Sequence, residues 1–345
     1  MKKASGSVLK ISSAVLMSVA LVLIGVLAGC ENFTSGNSTS GVTPKYIDVE
    51  ALKKDDMKLT VWTVYWDTQR TVRNIMTSSD KIDGISTFAA YYDEREKLFI
   101  PDETLKISRK LRDSEKTENI QQYLSVVNDK PHSAKDISLV KNKIGTAEKA
   151  AEHAAEIVQL AVENEYDGVE IDYEKIRSDL NLWNQFIVFE KDLITLCQKN
   201  GLKLRIVLET STPVEDLNFP DGASYSVMCY NLYGSGTKPG PKADAEFLKK
   251  IAAKFGSLPG ISYALANGGF DFDGTGTAKQ LTSAEATQLA EEKHATPVRN
   301  EGSGALTFVY GSHTVWYADE KTLVFWQKVL DEAAGKDTDI GLWRI

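Results

Sequence analysis

Cysteine is scarce in this chain, with three residues among 345, at positions 30, 197 and 229. That is too few for a disulfide-stapled scaffold. Cys197 falls in a helical pattern and Cys229 in a strand pattern, so two buried free thiols are expected rather than a bridge. Histidine is equally sparse: His132, His153, His294 and His313 lack the spacing that metal ligands need, and neither metal nor cofactor is expected. An excess of positive charge is also missing, with 40 Lys and Arg against 48 Asp and Glu. A body with net charge −8 repels phosphate backbones, which excludes nucleic acid as a partner. No Gly-rich phosphate turn follows the early strand patterns, which argues against an open nucleotide-binding sheet. Gly268-Gly269 and FDFDGTGT (270–277) look superficially like a calcium loop, but EF-hand spacing and its terminal Glu are absent, so the stretch reads as a turn.

What is present begins with a targeting pattern. MKKASGSVLK is basic, ISSAVLMSVALVLIGV is apolar, and LAGC (27–30) places small residues before a cysteine. This resembles the lipobox of bacterial lipoproteins, which implies cleavage of residues 1–29 and a lipid on Cys30. The alternative is an uncleaved transmembrane helix, since 11–29 is just long enough to span a bilayer. Both readings imply an extracytoplasmic, membrane-anchored protein, the first of them a lipoprotein of the bacterial cell envelope. Lys2, Lys3 and Lys10, against no acids in the first thirty residues, leave the remainder at −11. Residues 30–50, rich in Ser, Thr, Gly and Asn up to Lys45, read as a flexible tether with a reach of about 20 Å.

From residue 51 the pattern changes. Strand-like runs at 57–66, 81–92, 119–129, 166–174, 202–209, 224–230, 261–267 and 339–345 alternate with helical patterns at 146–165, 180–199, 243–255, 282–293 and 319–334. About eight such alternations predict parallel strands and a closed (β/α)8 TIM barrel, a single α/β domain over 51–345. An open doubly wound sheet is the competing arrangement.

DGVEIDYE (167–174) is the most informative stretch. In a strand, alternate residues share a face, so Glu170, Asp172 and Glu174 point one way and Val169, Ile171 and Tyr173 the other. An isolated amphipathic strand would turn its acids to water. This one lies between two amphipathic helices, and a central parallel strand is covered on both faces. Three carboxylates on a lumen face are expensive to bury and therefore mark a pocket. Their mutual repulsion raises their pKa values, and the last acid is the natural one to be held protonated.

DGVEIDYE resembles the D-G-x-D-x-D-x-E signature of glycoside hydrolase family 18, the chitinases and their relatives. VMCYNLYG (227–234) looks like that family's sixth-strand segment, and DIGLWRI (339–345) like its eighth strand. HTVWYADEKTL (313–323) is similar to a segment of the family's bacterial cell-wall and spore-lysin branch. The resemblance covers about residues 55–345. It implies that Glu174 is the acid/base, that Asp172 orients the substrate's 2-acetamido group, and that Tyr230 donates to the acetamido carbonyl. Trp343 would be the floor beneath the distorted sugar, and Met228, Asn231 and Glu170 would line the substrate site. The acetamido oxygen would itself attack the anomeric carbon, a family exception to the two-carboxylate scheme.

Two departures stand out. Glu170 replaces the family's usual Asp or Asn; the longer chain could crowd Asp172, while Glu170→Asp should be benign if the residue merely imitates an Asp. The stretch 268–312 reads as too short for a large α+β insertion domain, which predicts a shallow cleft suited to a wide glycan.

Trp62, Tyr91 and Asn128 at strand ends could contact sugar, with packing as the alternative for both aromatics; Trp316 reads as core beneath the last helix. The expected function is a monomeric retaining hydrolase of β-1,4 bonds beside N-acetylglucosamine, on peptidoglycan or chitin-like oligosaccharides. Its rivals are an endo-β-N-acetylglucosaminidase on N-glycans and a non-catalytic glycan-binding lipoprotein.

Overall fold

The computed structural model describes residues 49–345. The expected targeting segment 1–29, the lipid-bearing Cys30 and all but the last two residues of the expected tether (30–50) lie outside the described residues. The first part of the chain forms β1 (Leu59–Val64), α1 (Thr68–Thr77), β2 (Gly84–Tyr92), β3 (Leu98–Phe99), α2 (Asp102–Arg112), β4 (Gln121–Val127), α3 (Ile137–Ile144) and α4 (Ala147–Glu163). Next come β5 (Gly168–Asp172), α5 (Leu180–Lys199), β6 (Lys203–Leu208), β7 (Ser224–Met228), α6 (Ala245–Phe255) and β8 (Ile261–Ala266). The last part comprises β9 (Gly268–Phe272), β10 (Ala278–Leu281), α7 (Ser283–Glu292), β11 (Val298–Arg299), β12 (Leu306–Tyr310), β13 (His313–Ala318), α8 (Glu320–Ala334) and β14 (Asp339–Trp343).

Strands β1, β2, β4, β5, β6, β7, β8 and β14 run parallel and close on themselves, because β1 pairs with β14 on one side and with β2 on the other. This is the expected (β/α)8 barrel, with the acidic motif on its fourth strand. Helix starts are fixed by local chemistry. Asp136, Thr146, Asp179, Asp244 and Asp319 each accept a backbone N–H from the first turn of α3, α4, α5, α6 and α8. The outward half of the motif strand behaves as its alternation requires. Val169, Ile171 and Tyr173 are buried in the main core with Ile157 and Val158 of α4 and Phe186 and Phe189 of α5. Cys197 and Cys229 are buried free thiols, as expected.

Helices α1, α2 and α3 carry weak sequence signals. α1 buries only Val72 and Ile75 as apolar residues, and α2 only Ile107 and Leu111, so charge obscures their period.

The expectation that 268–312 is too short for an α+β insertion is corrected. Residues 268–318 build a five-stranded antiparallel sheet in the order β10-β9-β13-β12-β11, with α7 packed on it. Leu281, Ala286, Ala290, Phe308, Val315 and Tyr317 form its own small core. Short strands of two to six residues, most of them partly or fully exposed, give too little apolar run to be read individually. The FDFDGTGT stretch is the β9–β10 hairpin, and Asp273 spends its carboxylate on the turn's own N–H groups at Thr275 (2.7 Å) and Thr277 (3.3 Å). Trp316, expected beneath α8, is instead half-buried on β13. There it lines a cavity of about 490 Å³ with Tyr233, Lys249 and Asn300, away from the motif carboxylates.

Candidate active site

The three motif acids share one strand face but meet three different environments. Glu170 is wholly enclosed, at 0% exposure. Its Oε1 accepts hydrogen bonds from Trp62 Nε1 (2.7 Å) and Ser125 Oγ (2.8 Å). Its Oε2 accepts from Ser86 Oγ (2.9 Å) and Arg205 Nε (2.6 Å). Arg205 also donates to Ser86, and its guanidinium lies 4.5 Å from the Tyr123 ring centre and 5.3 Å from that of Trp62. These partners come from β1, β2, β4 and β6, so Glu170 ties the lumen together from the inside.

This placement corrects two expectations. Glu170 and Trp62 were expected to contact substrate; both belong to a floor beneath the site, with Trp62 only 3% exposed. The extra methylene of Glu does not crowd Asp172, since the carboxylate is drawn toward its four donors. Gly341 on β14 makes room for the arrangement, because a Cβ there would meet the Trp62 ring at 2.5 Å. Met228, also expected at the substrate, is buried with Trp62, Val207 and Ala264, and Phe88, Tyr230 and Trp343 pack on this cluster from above.

Asp172 stands one step further up the same face. Its Oδ1 is buried without a hydrogen-bond partner. Loss of water pushes its pKa well above the carboxylate range, and the charges of Glu174 and Glu170 push the same way against Lys135. Glu174 lies just past the end of β5, where the strand gives way to a loop. Its backbone is gripped by one side chain: Asn128 Oδ1 accepts from Glu174 N–H (2.9 Å), and Asn128 Nδ2 donates to the Glu174 carbonyl (3.0 Å). Asn128 was expected to hydrogen-bond substrate; at 1% exposure it is instead the clamp that aims the last acid. Burial raises the Glu174 pKa, while an ion pair with Lys135 opposes the rise and Glu209 and Asp129 reinforce it. The expected upward shift at the last acid is present, and Asp172 shares it.

Aromatic groups surround these carboxylates. Tyr230, half-buried one turn past β7, has its phenol pKa raised well above the usual value by burial and by the charges of Asp172 and Glu174, so it keeps its proton and can donate it. Tyr91 feels the same field, its pKa raised by burial and then by Tyr65, Asp129 and Asp172. Trp343 at the end of β14 is half-buried, its ring edge-on to Phe88 (5.0 Å between centres) and to Trp62 (6.4 Å). Asn231 is exposed on the turn after β7.

Four further residues join the site. Trp66, 38% exposed, stands edge-on to Tyr65 (5.0 Å) and to Phe88 (6.2 Å), extending the aromatic rim outward from Trp343. The aromatic density of VWTVYW at the end of β1 was a signal for Tyr65 and Trp66. Nothing in the sequence singles out Phe88 or Lys135, because their roles depend on loops from other strands.

An enclosed, unpartnered carboxylate beside a second acid whose pKa is raised, with a protonated phenol and an indole at the mouth, can protonate a leaving oxygen and stabilise adjacent positive charge. No family model and no curated protein matches the chain. Several solved structures do. A chitinase of Chromobacterium violaceum superposes with a TM-score of 0.69 at 17% identity, over 84% of this chain and 94% of that one. The spore cortex-lytic enzyme SleL of Bacillus megaterium gives 0.68 at 14% identity, over 84% and 70%. A glycoside hydrolase family 18 chitinase of Cycas revoluta, in complex with (GlcNAc)3, gives 0.65 at 12%, over 83% and 94%. At such identities the likeness establishes the barrel fold.

Proposed function

We propose that the chain is a family 18-type retaining glycoside hydrolase that cleaves β-1,4 bonds adjacent to N-acetylglucosamine, with peptidoglycan as its glycan. The observation that carries the reading is Glu174, a half-buried acid with a raised pKa, clamped at the C-terminal end of the fourth barrel strand two residues beyond the unpartnered Oδ1 of Asp172. In this reading the 2-acetamido oxygen of the bound sugar attacks the anomeric carbon as the glycosidic C–O bond breaks, and Glu174 gives its proton to the departing oxygen. Asp172 accepts the acetamido N–H and offsets the charge of the cyclic intermediate, while Tyr230 donates to the acetamido oxygen. Trp343 supports the sugar ring. Water then attacks the same carbon as the Glu174 carboxylate takes its proton, which restores the enzyme and retains the anomeric configuration.

Peptidoglycan is favoured by the likeness to a spore cortex-lytic enzyme and by the HTVWYADEKTL segment, which forms β13 and the first turn of α8. With the insertion sheet present, the expected shallow cleft no longer favours a wide glycan. Residues 1–29 would be removed and Cys30 lipidated, leaving an extracytoplasmic monomer anchored to a membrane of the bacterial cell envelope through its tether (30–50); loss of palmitate labelling in Cys30→Ser would support this. Purified cell walls, chitin oligomers and a high-mannose glycoprotein should be digested in parallel. Release of reducing ends from cell walls supports the substrate, cleavage of the glycoprotein alone supports an N-glycan enzyme, and no cleavage of any with retained binding identifies a glycan-binding protein.

A further inference from the structure

The loop between β4 and α3 is built to carry one side chain onto the acid. Asp129 receives the Lys135 N–H on its Oδ1 at 2.6 Å, Lys130 and Ser133 exchange two backbone bonds of 3.0 Å, and Asp136 N–H donates to the Asn128 carbonyl at 2.7 Å. Lys130 braces the loop through ion pairs with Glu96 (3.2 Å) and Asp136 (3.3 Å). Lys135 itself sits at φ +55°, a conformation costly for a residue with a Cβ. From there its ammonium pairs with Glu174 Oε2.

For a general acid this partner is the wrong one, since an ammonium in contact favours the carboxylate that has already lost its proton. The conflict disappears if the ammonium has somewhere to go when substrate arrives. In a β-1,4 glycan the departing oxygen is O4 of the leaving sugar, and O3 sits on the neighbouring carbon. A carboxylate carried on O3, as the lactyl group of N-acetylmuramic acid is, therefore lies beside the very oxygen that Glu174 protonates.

Resting on Glu174 as the acid, we propose that Lys135 is a positioning residue that selects a leaving sugar bearing a carboxylate next to the scissile oxygen, passing its ammonium from Glu174 to that group as substrate binds. Glu174 is then left enclosed among Asp172, Asp129, Glu209 and Tyr230, surroundings that favour its protonated form. When the leaving sugar departs, the ammonium returns and favours the carboxylate needed to take a proton from water. The chain would thus cut on the reducing side of N-acetylglucosamine, with N-acetylmuramic acid leaving.

The test uses the purified protein, peptide-free glycan strands of alternating N-acetylglucosamine and N-acetylmuramic acid, the same strands with methyl-esterified carboxylates, and chitin oligomers. Lys135→Met should lower kcat/KM on the acidic strands by about tenfold, as for loss of one charge pair. On esterified strands and chitin oligomers the change in kcat/KM should be several-fold smaller than on the acidic strands, with the alkaline limb of the pH profile moved upward because Glu174 loses the cation that favours its carboxylate. Esterification should slow the wild type but not Lys135→Met, Lys135→Arg should restore the preference for acidic strands, and products should end in reducing N-acetylglucosamine. An equal loss on acidic and neutral glycans overturns the proposal and marks Lys135 as a brace for the loop. Hydrolysis that survives Glu174→Gln overturns Glu174 as the acid, no hydrolysis by the wild type overturns the glycosidase reading, and either result overturns the proposal.

Discussion

Two levels of one barrel strand, the floor around Glu170 and the mouth around Asp172 and Glu174, show how the same residue type on the same face can do opposite work. At the floor a carboxylate with no exposed surface meets four donors, one of them a guanidinium, so the charge is fully compensated. At the mouth one carboxylate oxygen has no partner and the neighbouring acid has a single cation. The floor is arranged for the folded state. The mouth keeps hydrogen-bonding capacity unused, and such capacity is what an incoming polar ligand would satisfy.

The largest effect that separates the two levels is on turnover. Glu174→Gln keeps the shape and the Asn128 clamp but removes the titrating group, and should lower kcat by about 10²–10⁴-fold with little change in Tm. Kinetics on a soluble glycan together with a thermal melt check both halves, and an unchanged rate would refute the assignment. Glu170→Ala should do the reverse. It strands Arg205 in the lumen and leaves Trp62, Ser86 and Ser125 without their acceptor, at a cost of about 3–5 kcal/mol read from urea denaturation. Glu170→Asp, benign if the residue only imitated an Asp, should also destabilise, by about 1–3 kcal/mol, because the shorter chain cannot reach all four donors.

Asn128→Ala probes the junction between the levels. Two hydrogen bonds to the Glu174 backbone are lost, with an expected cost of about 1–3 kcal/mol and a fall in kcat larger than any change in KM, since the acid loses its aim rather than its charge. Equal changes in kcat and KM would instead place Asn128 in contact with substrate.

Much of this was legible in sequence, for a physical reason that also marks the limit. The barrel, the lumen face of DGVEIDYE and the aromatic ends of β1 and β14 follow from period-2 and period-3.6 patterns that are local to each segment. The division of labour among the acids is not local. Glu170 looked like a substrate contact because its donors Trp62, Ser86, Ser125 and Arg205 lie on four other strands, up to 108 residues away. Lys135 and the Asn128 clamp were missed or misread for the same cause. The insertion at 268–318 escaped because its strands are only two to six residues long, so neither period is sampled long enough.

The smallest effect gives the sharpest contrast, because it should raise stability. Asp172 is enclosed, its Oδ1 lacks a partner, and its folded pKa lies well above the ordinary value. A carboxyl whose pKa is raised on folding binds protons more tightly in the native state. Its protonated form therefore supports stability at low pH, and that support is lost as pH rises above the unfolded value of about 3.9 toward the folded one. Asp172→Asn removes the titration. The variant should match the wild type near pH 3 and melt higher at pH 7, by on the order of 1 kcal/mol or about 2 °C, while glycan hydrolysis falls because an amide cannot offset positive charge on the intermediate. The Glu170→Gln control should lose stability at pH 7, since Arg205 is left without a counter-charge. A drop in Tm for both variants would erase the distinction between floor and mouth and show that Asp172, too, is held for the fold.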